Sequence, residues 1–101
     1  IEEQEAELFI PTIVIFELFS GKSAQDKSTA VEITDLIYNL KRIDLREEIA
    51  ILAGELNRKI GRHISPQDYI VAASALTIGG AIVTLNKKHF EQIPNLPLYP
   101  L

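Results

Sequence analysis

Residues 26–40 set Ala30, Ile33, Ile37 and Leu40 on one stripe at helical spacing, with Val31 and Leu36 beside it and Asp35 and Asn39 away from it. This is the pattern of an amphipathic helix. A second helix is predicted from Asp44, as N-cap with Glu47 three residues on, to a stop at Gly61; it buries Ile49, Leu52, Ala53, Leu56 and Ile60. Ser65-Pro66-Gln67-Asp68 starts a third: Ser65 caps, Pro66 suits the first helical position, and the helix runs to Gly79-Gly80. Tyr69, Ile70, Val71, Ala72, Ala73, Ala75, Leu76 and Ile78 leave it almost no polar face, so it is expected to be central and enclosed on most sides. Ala81-Ile82-Val83-Thr84-Leu85 is then a continuous apolar run of strand length, as in a parallel sheet covered on both faces, and it ends at Asn86.

The first third is less regular. Leu8-Phe9-Ile10 reads as a strand ended by Pro11, and Ile13-Val14-Ile15-Phe16 has β-branched content. Thr12 as a cap and Ser20-Gly21 as a stop nevertheless favour a short buried helix over 12–20. The tail from Pro94 to Pro100, three prolines around Leu96, Leu98 and Tyr99, suits a short edge strand. With no repeat, low-complexity tract or linker, the chain reads as one domain over residues 1–101. Its alternation of strands and helices predicts a three-layer α/β sandwich.

Composition narrows the function classes. In 101 residues, 47% hydrophobic and 24% charged, there is material for one packed core. The absence of Cys removes disulfides, thiolate zinc sites and a cysteine nucleophile, and fits a reducing compartment. No apolar run reaches the about 18 residues of a membrane span, and no signal peptide is legible, so a cytoplasmic location is expected. Ten basic residues stand against 14 acidic ones, four of which (Glu2, Glu3, Glu5 and Glu7) precede Leu8; without them the chain is neutral. The chain is therefore a poor candidate for indiscriminate electrostatic binding of nucleic acid, and such a role must rest on a local site or an oligomer's patch. Met is also absent and Ile1 is bulky, so Ile1 is not expected to be the natural start.

Ligands of open α/β sheets bind beyond the carboxyl ends of the strands, which directs attention to Glu17, Asp68 and Asn86. Glu17 is the only charge between Leu8 and Lys22, and an ionised carboxylate in such a setting is paired, hydrated or bound to a cation. Asp68 lies in a first helical turn, where capping explains it fully; capping and metal binding are compatible, because a carboxylate has spare lone pairs. Asn86 shares one side of its strand with Thr84, and alone it reads as a turn residue. Lys22, Arg62, Lys87 and Lys88 are candidate contacts for a phosphate backbone, whereas Arg58 and Lys59 complement a helix dipole. His63 and His89 show no two-His metal spacing and receive no role, and Ser74 is read as permitting close packing.

Phe9-Ile10-Pro11, Glu17-Leu18-Phe19-Ser20-Gly21, Ser65-Pro66-Gln67-Asp68-Tyr69-Ile70-Val71-Ala72-Ala73-Ser74-Ala75 and Ile82-Val83-Thr84-Leu85-Asn86-Lys87-Lys88-His89-Phe90-Glu91-Gln92-Ile93-Pro94 together resemble the PIN-domain family. The resemblance is especially to its VapC-type toxins, and order and spacing agree over nearly the whole chain, roughly from Leu8 to Leu101. The resemblance implies a Rossmann-like sandwich around a parallel sheet and a metal-dependent endoribonuclease whose acidic pocket holds Mg²⁺ or Mn²⁺. It carries over Glu17 and Asp68 as metal ligands and Asn86 as a further polar member positioning water or phosphate. It also implies the toxin half of a toxin–antitoxin pair, a homodimer restrained by a cognate antitoxin.

Two departures qualify it. Family members open with a central strand bearing an Asp, and nothing here matches it; Glu2-Glu3-Gln4-Glu5 looks like the end of the helix leading into Leu8. The first central strand is therefore expected upstream of Ile1, and residues 1–101 are expected to fold poorly without it. The last loop offers Asn86 and His89 where the family often places another Asp, which lowers the negative charge and weakens the case for a second tightly held metal. Two other readings stay open: a catalytically incomplete module that binds RNA or protein, and a metal-independent structural domain with Glu17 ion-paired.

Overall fold

Extended backbone gives way to helix at Pro11, whose fixed φ of −64° ends one element and admits the next. The computed structural model describes residues 7–61, 63–84 and 86–99. The chain divides into two units, one ending at Asp44 and the other beginning at Leu45.

In the first unit, β1 (Phe9–Pro11) runs into α1 (Thr12–Ser20), a 3₁₀ turn (Lys22–Gln25), α2 (Lys27–Ile37) and β2 (Lys41–Ile43). The strands pair in parallel, with Phe9 opposite Lys41, Ile10 opposite Arg42 and Pro11 opposite Ile43. The α1 span is as expected, but two details differ. Pro11, not Thr12, holds the cap position, and no side chain caps the helix. Nor is α1 buried: Ile13–Ile15 are half-buried and Phe16–Ser20 are exposed, so its apolar face is only partly covered in this unit.

Asp26 caps α2 by accepting from the Thr29 backbone N–H at 3.4 Å, and also takes the Ser28 and Thr29 hydroxyls. These bonds, the Ser28 hydroxyl first, hold its carboxyl below the usual carboxylate range. The helix ends at Ile37, three residues before the predicted end. The Arg42 guanidinium donates to the carbonyls of Ile37 and Leu40 at 2.7 and 2.6 Å, satisfying acceptors that the helix end leaves without intrahelical partners. Lys41–Ile43 was not expected as a strand, because two of its three residues are charged; only Ile43 turns inward.

The second unit contains α3 (Glu47–Ile60), α4 (Pro66–Ile78), β3 (Ile82–Val83), α5 (Lys87–Phe90) and β4 (Leu98–Tyr99). Asp44 is not the cap of α3: the helix begins at Glu47, Arg46 holds the cap position, and its guanidinium pairs with Glu48 at 3.3 Å. Ile49 and Ala53 carry the buried stripe against α4. Four consecutive residues of α4, Ala72 to Ala75, are buried; at about 100° per residue they span most of the helix circumference. The enclosure read from its sequence is therefore real, and the Ser74 hydroxyl is satisfied by the Ile70 carbonyl at 2.7 Å.

Gly79, at φ +68°, closes α4 in the left-handed conformation that favours glycine. Ile82 and Val83 pair in parallel with Leu98 and Tyr99, so the proline-rich tail is a strand as expected. β3 is shorter than the predicted 81–85, and Leu85 lies outside the described residues, as do Arg62, the acidic stretch Glu2–Glu5, Pro100 and Leu101. Both units thus join parallel strands through helices, which is the α/β class the alternation predicts. Among the described residues no helix is long and apolar enough to cross a membrane.

Candidate functional site

Ser65 and Pro66 fix where α4 starts. The Ser65 hydroxyl accepts from the Asp68 backbone N–H at 3.2 Å, and Pro66 occupies the first turn without wasting a donor. Next to Asp68, the Tyr69 ring is 1% exposed, and its hydroxyl donates to the Gly61 carbonyl at 2.6 Å. The first turn of α4 is thereby tied to the end of α3, and Asp68 is held on a packed element. Burial raises the Tyr69 phenol above its usual range.

The other side of the site is the segment beyond the carboxyl end of β3. The Asn86 backbone N–H donates to the Thr84 hydroxyl at 2.9 Å, and its carbonyl accepts from the His89 N–H at 3.1 Å, closing the turn into α5. Phe90 and Ile93, 5% and 3% exposed, anchor that turn in the core. His89 then faces back: its Nδ1 lies 3.0 Å from Oδ2 of Asp68. Lys87 and Lys88 are exposed on the same helical turn.

Asp68 and His89 are thus paired within one unit, and Asn86 meets His89 through its backbone carbonyl. Sequence reasoning assigned His89 no role, because a lone histidine 21 residues from its partner leaves no spacing signal. The carboxylate is turned toward His89, while the cap of α4 uses the Asp68 backbone N–H. Glu17 belongs to the first unit, exposed on α1 within a hydrogen-bonded or charged interaction.

Asp68 has one carboxylate oxygen engaged by His89 and is only partly covered, which leaves lone pairs for a cation or its waters. Carboxylate and amide oxygens are the donors Mg²⁺ and Mn²⁺ prefer. Among the described residues no three His, Asp or Glu side chains gather as a metal-sized group. Mg²⁺ keeps several waters and is bound through one or two carboxylates together with substrate phosphates, so the Asp68 carboxylate fits as one ligand of such an ion.

The PIN domain family matches residues 1–96. Ribonuclease VapC2 of Rickettsia felis is 31% identical over 94 residues, covering 88% of this chain and 70% of that protein. The tRNA(fMet)-specific endonuclease VapC of Salmonella typhimurium is 28% identical over 92 residues, covering 86% and 70%. Among solved structures, VapBC2 from Rickettsia felis bound to a promoter DNA fragment superposes with a TM-score of 0.80 at 28% identity, covering 94% of this chain and 75% of that one.

Proposed function

Since this chain belongs to the PIN domain family, we propose that it is an endoribonuclease of VapC type, the toxin of a toxin–antitoxin pair. The observation that carries the proposal is the convergence of the α4 N-terminus and the carboxyl end of β3, which sets Asp68 against His89 in the turn that Asn86 opens. Open α/β sheets bind ligands at such a place. Ribonuclease names among its relatives support the reaction class.

In this proposal Glu17 and Asp68 are metal ligands, and Mg²⁺ or Mn²⁺ is the cofactor. When bound, the ion supplies an activated water and counter-charge for the scissile phosphate. The chain's own groups do the rest. Asp68 would hold the ion, its place at the start of α4 fixed by the Ser65 cap. The Asn86 amide orients water or a phosphate oxygen, and Lys87 and Lys88 draw the RNA backbone toward the turn they flank. Water adds to phosphorus as the ester P–O bond breaks, and the departing oxygen takes up a proton, so no covalent enzyme intermediate is involved.

A cognate antitoxin protein and a second copy of the chain complete the proposal, with a cytoplasmic location. The VapBC complex among the solved relatives supports the antitoxin. Exposed Phe16, Phe19, Leu36 and Tyr38 offer apolar surface on the first unit of the kind that association covers.

The test is cleavage of an RNA panel with Mg²⁺ or Mn²⁺ by the protein and by Glu17→Gln and Asp68→Asn. Each variant is expected to lose at least about 100-fold in rate, in keeping with the several kcal/mol of charge stabilisation a metal supplies. Undiminished cleavage by both rejects the assignment; RNA binding without cleavage by the unaltered protein favours the binding module.

A further inference from the structure

We infer that His89 is the positioning residue for Asp68; the inference rests on Asp68 being a metal ligand in the proposed nuclease. A carboxylate on a short side chain rotates broadly about its last torsion, so a ligand held only by its own backbone presents its oxygens in many directions. Here Oδ2 of Asp68 meets Nδ1 of His89 at 3.0 Å. An ionised carboxylate has acceptors only, so Nδ1 carries the proton and donates it.

Both ends of this bond are fixed on packed structure. Asp68 follows the Ser65 cap and precedes buried Tyr69. The imidazole precedes buried Phe90, and its own backbone N–H is bound by Asn86. The ring therefore sets the plane of the carboxylate and leaves its remaining lone pairs for the ion or its waters. His89 is not itself placed as a ligand through Nδ1, since that nitrogen is directed at the carboxylate and the preferred donors of Mg²⁺ are oxygens. The arrangement gives the turn after β3 a second task besides carrying Asn86 and the two lysines.

The experiment measures Mn²⁺ affinity by electron paramagnetic resonance, alongside thermal melting, for the protein and for His89→Ala, His89→Asn, His89→Gln and Asp68→Asn. Asparagine places its side-chain N–H near the position of Nδ1, whereas glutamine reaches toward that of Nε2. His89→Ala is expected to bind Mn²⁺ about tenfold more weakly, at the low end for outer-shell partners, with little change in melting because the ring is half exposed. His89→Asn should recover most of that loss and His89→Gln should not. Unchanged affinity in His89→Ala beside weakened affinity in Asp68→Asn overturns the positioning role alone, as does equal rescue by the two amides. Unchanged affinity in Asp68→Asn overturns the metal-ligand reading and this inference with it.

Discussion

Tyr69 illustrates how one side chain serves packing and placement together. Its ring is buried, and its hydroxyl is the donor that satisfies the Gly61 carbonyl at 2.6 Å. Tyr69→Phe keeps the ring and strands that carbonyl, so a loss of about 1–2 kcal/mol is expected in urea unfolding. The pH dependence has a definite sign. Burial raises the folded phenol above the ordinary 10.0, so on raising the pH the unfolded chain releases this proton first. The stabilising contribution is therefore complete below pH about 10 and is lost as the pH climbs through the folded value. Urea midpoints taken near pH 8 and near pH 10.5 should fall more steeply for the unaltered protein than for Tyr69→Phe; parallel declines would show that this phenol does not govern the alkaline limb. The same residue scale shows what a sequence can disclose about the site. Asp68 was legible because Ser65 and Pro66 announce a helix start. His89 was not, because its meaning depends on a partner brought to it by the packing of α5 against α4.

At the scale of elements, the stops of α3 and α4 were readable, whereas the end of α2 and the start of α3 were not. Gly61 and Gly79 have φ of +98° and +68°, a region L side chains rarely adopt, and each follows a helix whose apolar period runs out there. The α3 start was misplaced because Asp44 and Glu47 have capping-box spacing, yet Arg46 is the residue that holds the cap position. β2 escaped notice because Lys41 and Arg42 break any apolar period; they become strand residues through pairing with β1. The glycines of α3 give a prediction of opposite signs. A Cβ at Gly61 meets no atom within 4 Å, so Gly61→Ala is penalised by backbone strain alone, about 1–3 kcal/mol. Gly54 lies inside α3, exposed and equally unobstructed, so Gly54→Ala should stabilise by about 0.5–1 kcal/mol. Denaturant midpoints moving the same way for both would contradict the conformational assignment of one of them.

For the whole molecule, net charge decides how RNA is met. A formal charge of −4 gives no general attraction for a polyanion, so binding depends on local cations, of which Lys87 and Lys88 flank the proposed site. Counterion release makes this measurable: each neutralised phosphate of a single strand contributes about −0.7 to the slope of log affinity against log salt. Two lysine contacts therefore predict a slope near −1.4, well below that of a basic RNA-binding surface. Fluorescence anisotropy with a single-stranded RNA in EDTA, where metal-assisted cleavage is suppressed, reads the slope directly. Replacing both lysines by alanine should bring it close to zero while leaving thermal melting unchanged, because both side chains are exposed on a one-turn helix anchored by Phe90. An unaltered slope in the double variant would place the phosphate contacts elsewhere on the chain. A slope steeper than about −4 in the unaltered protein would require more contacts than this turn supplies, and would point to a basic surface assembled from more than one copy.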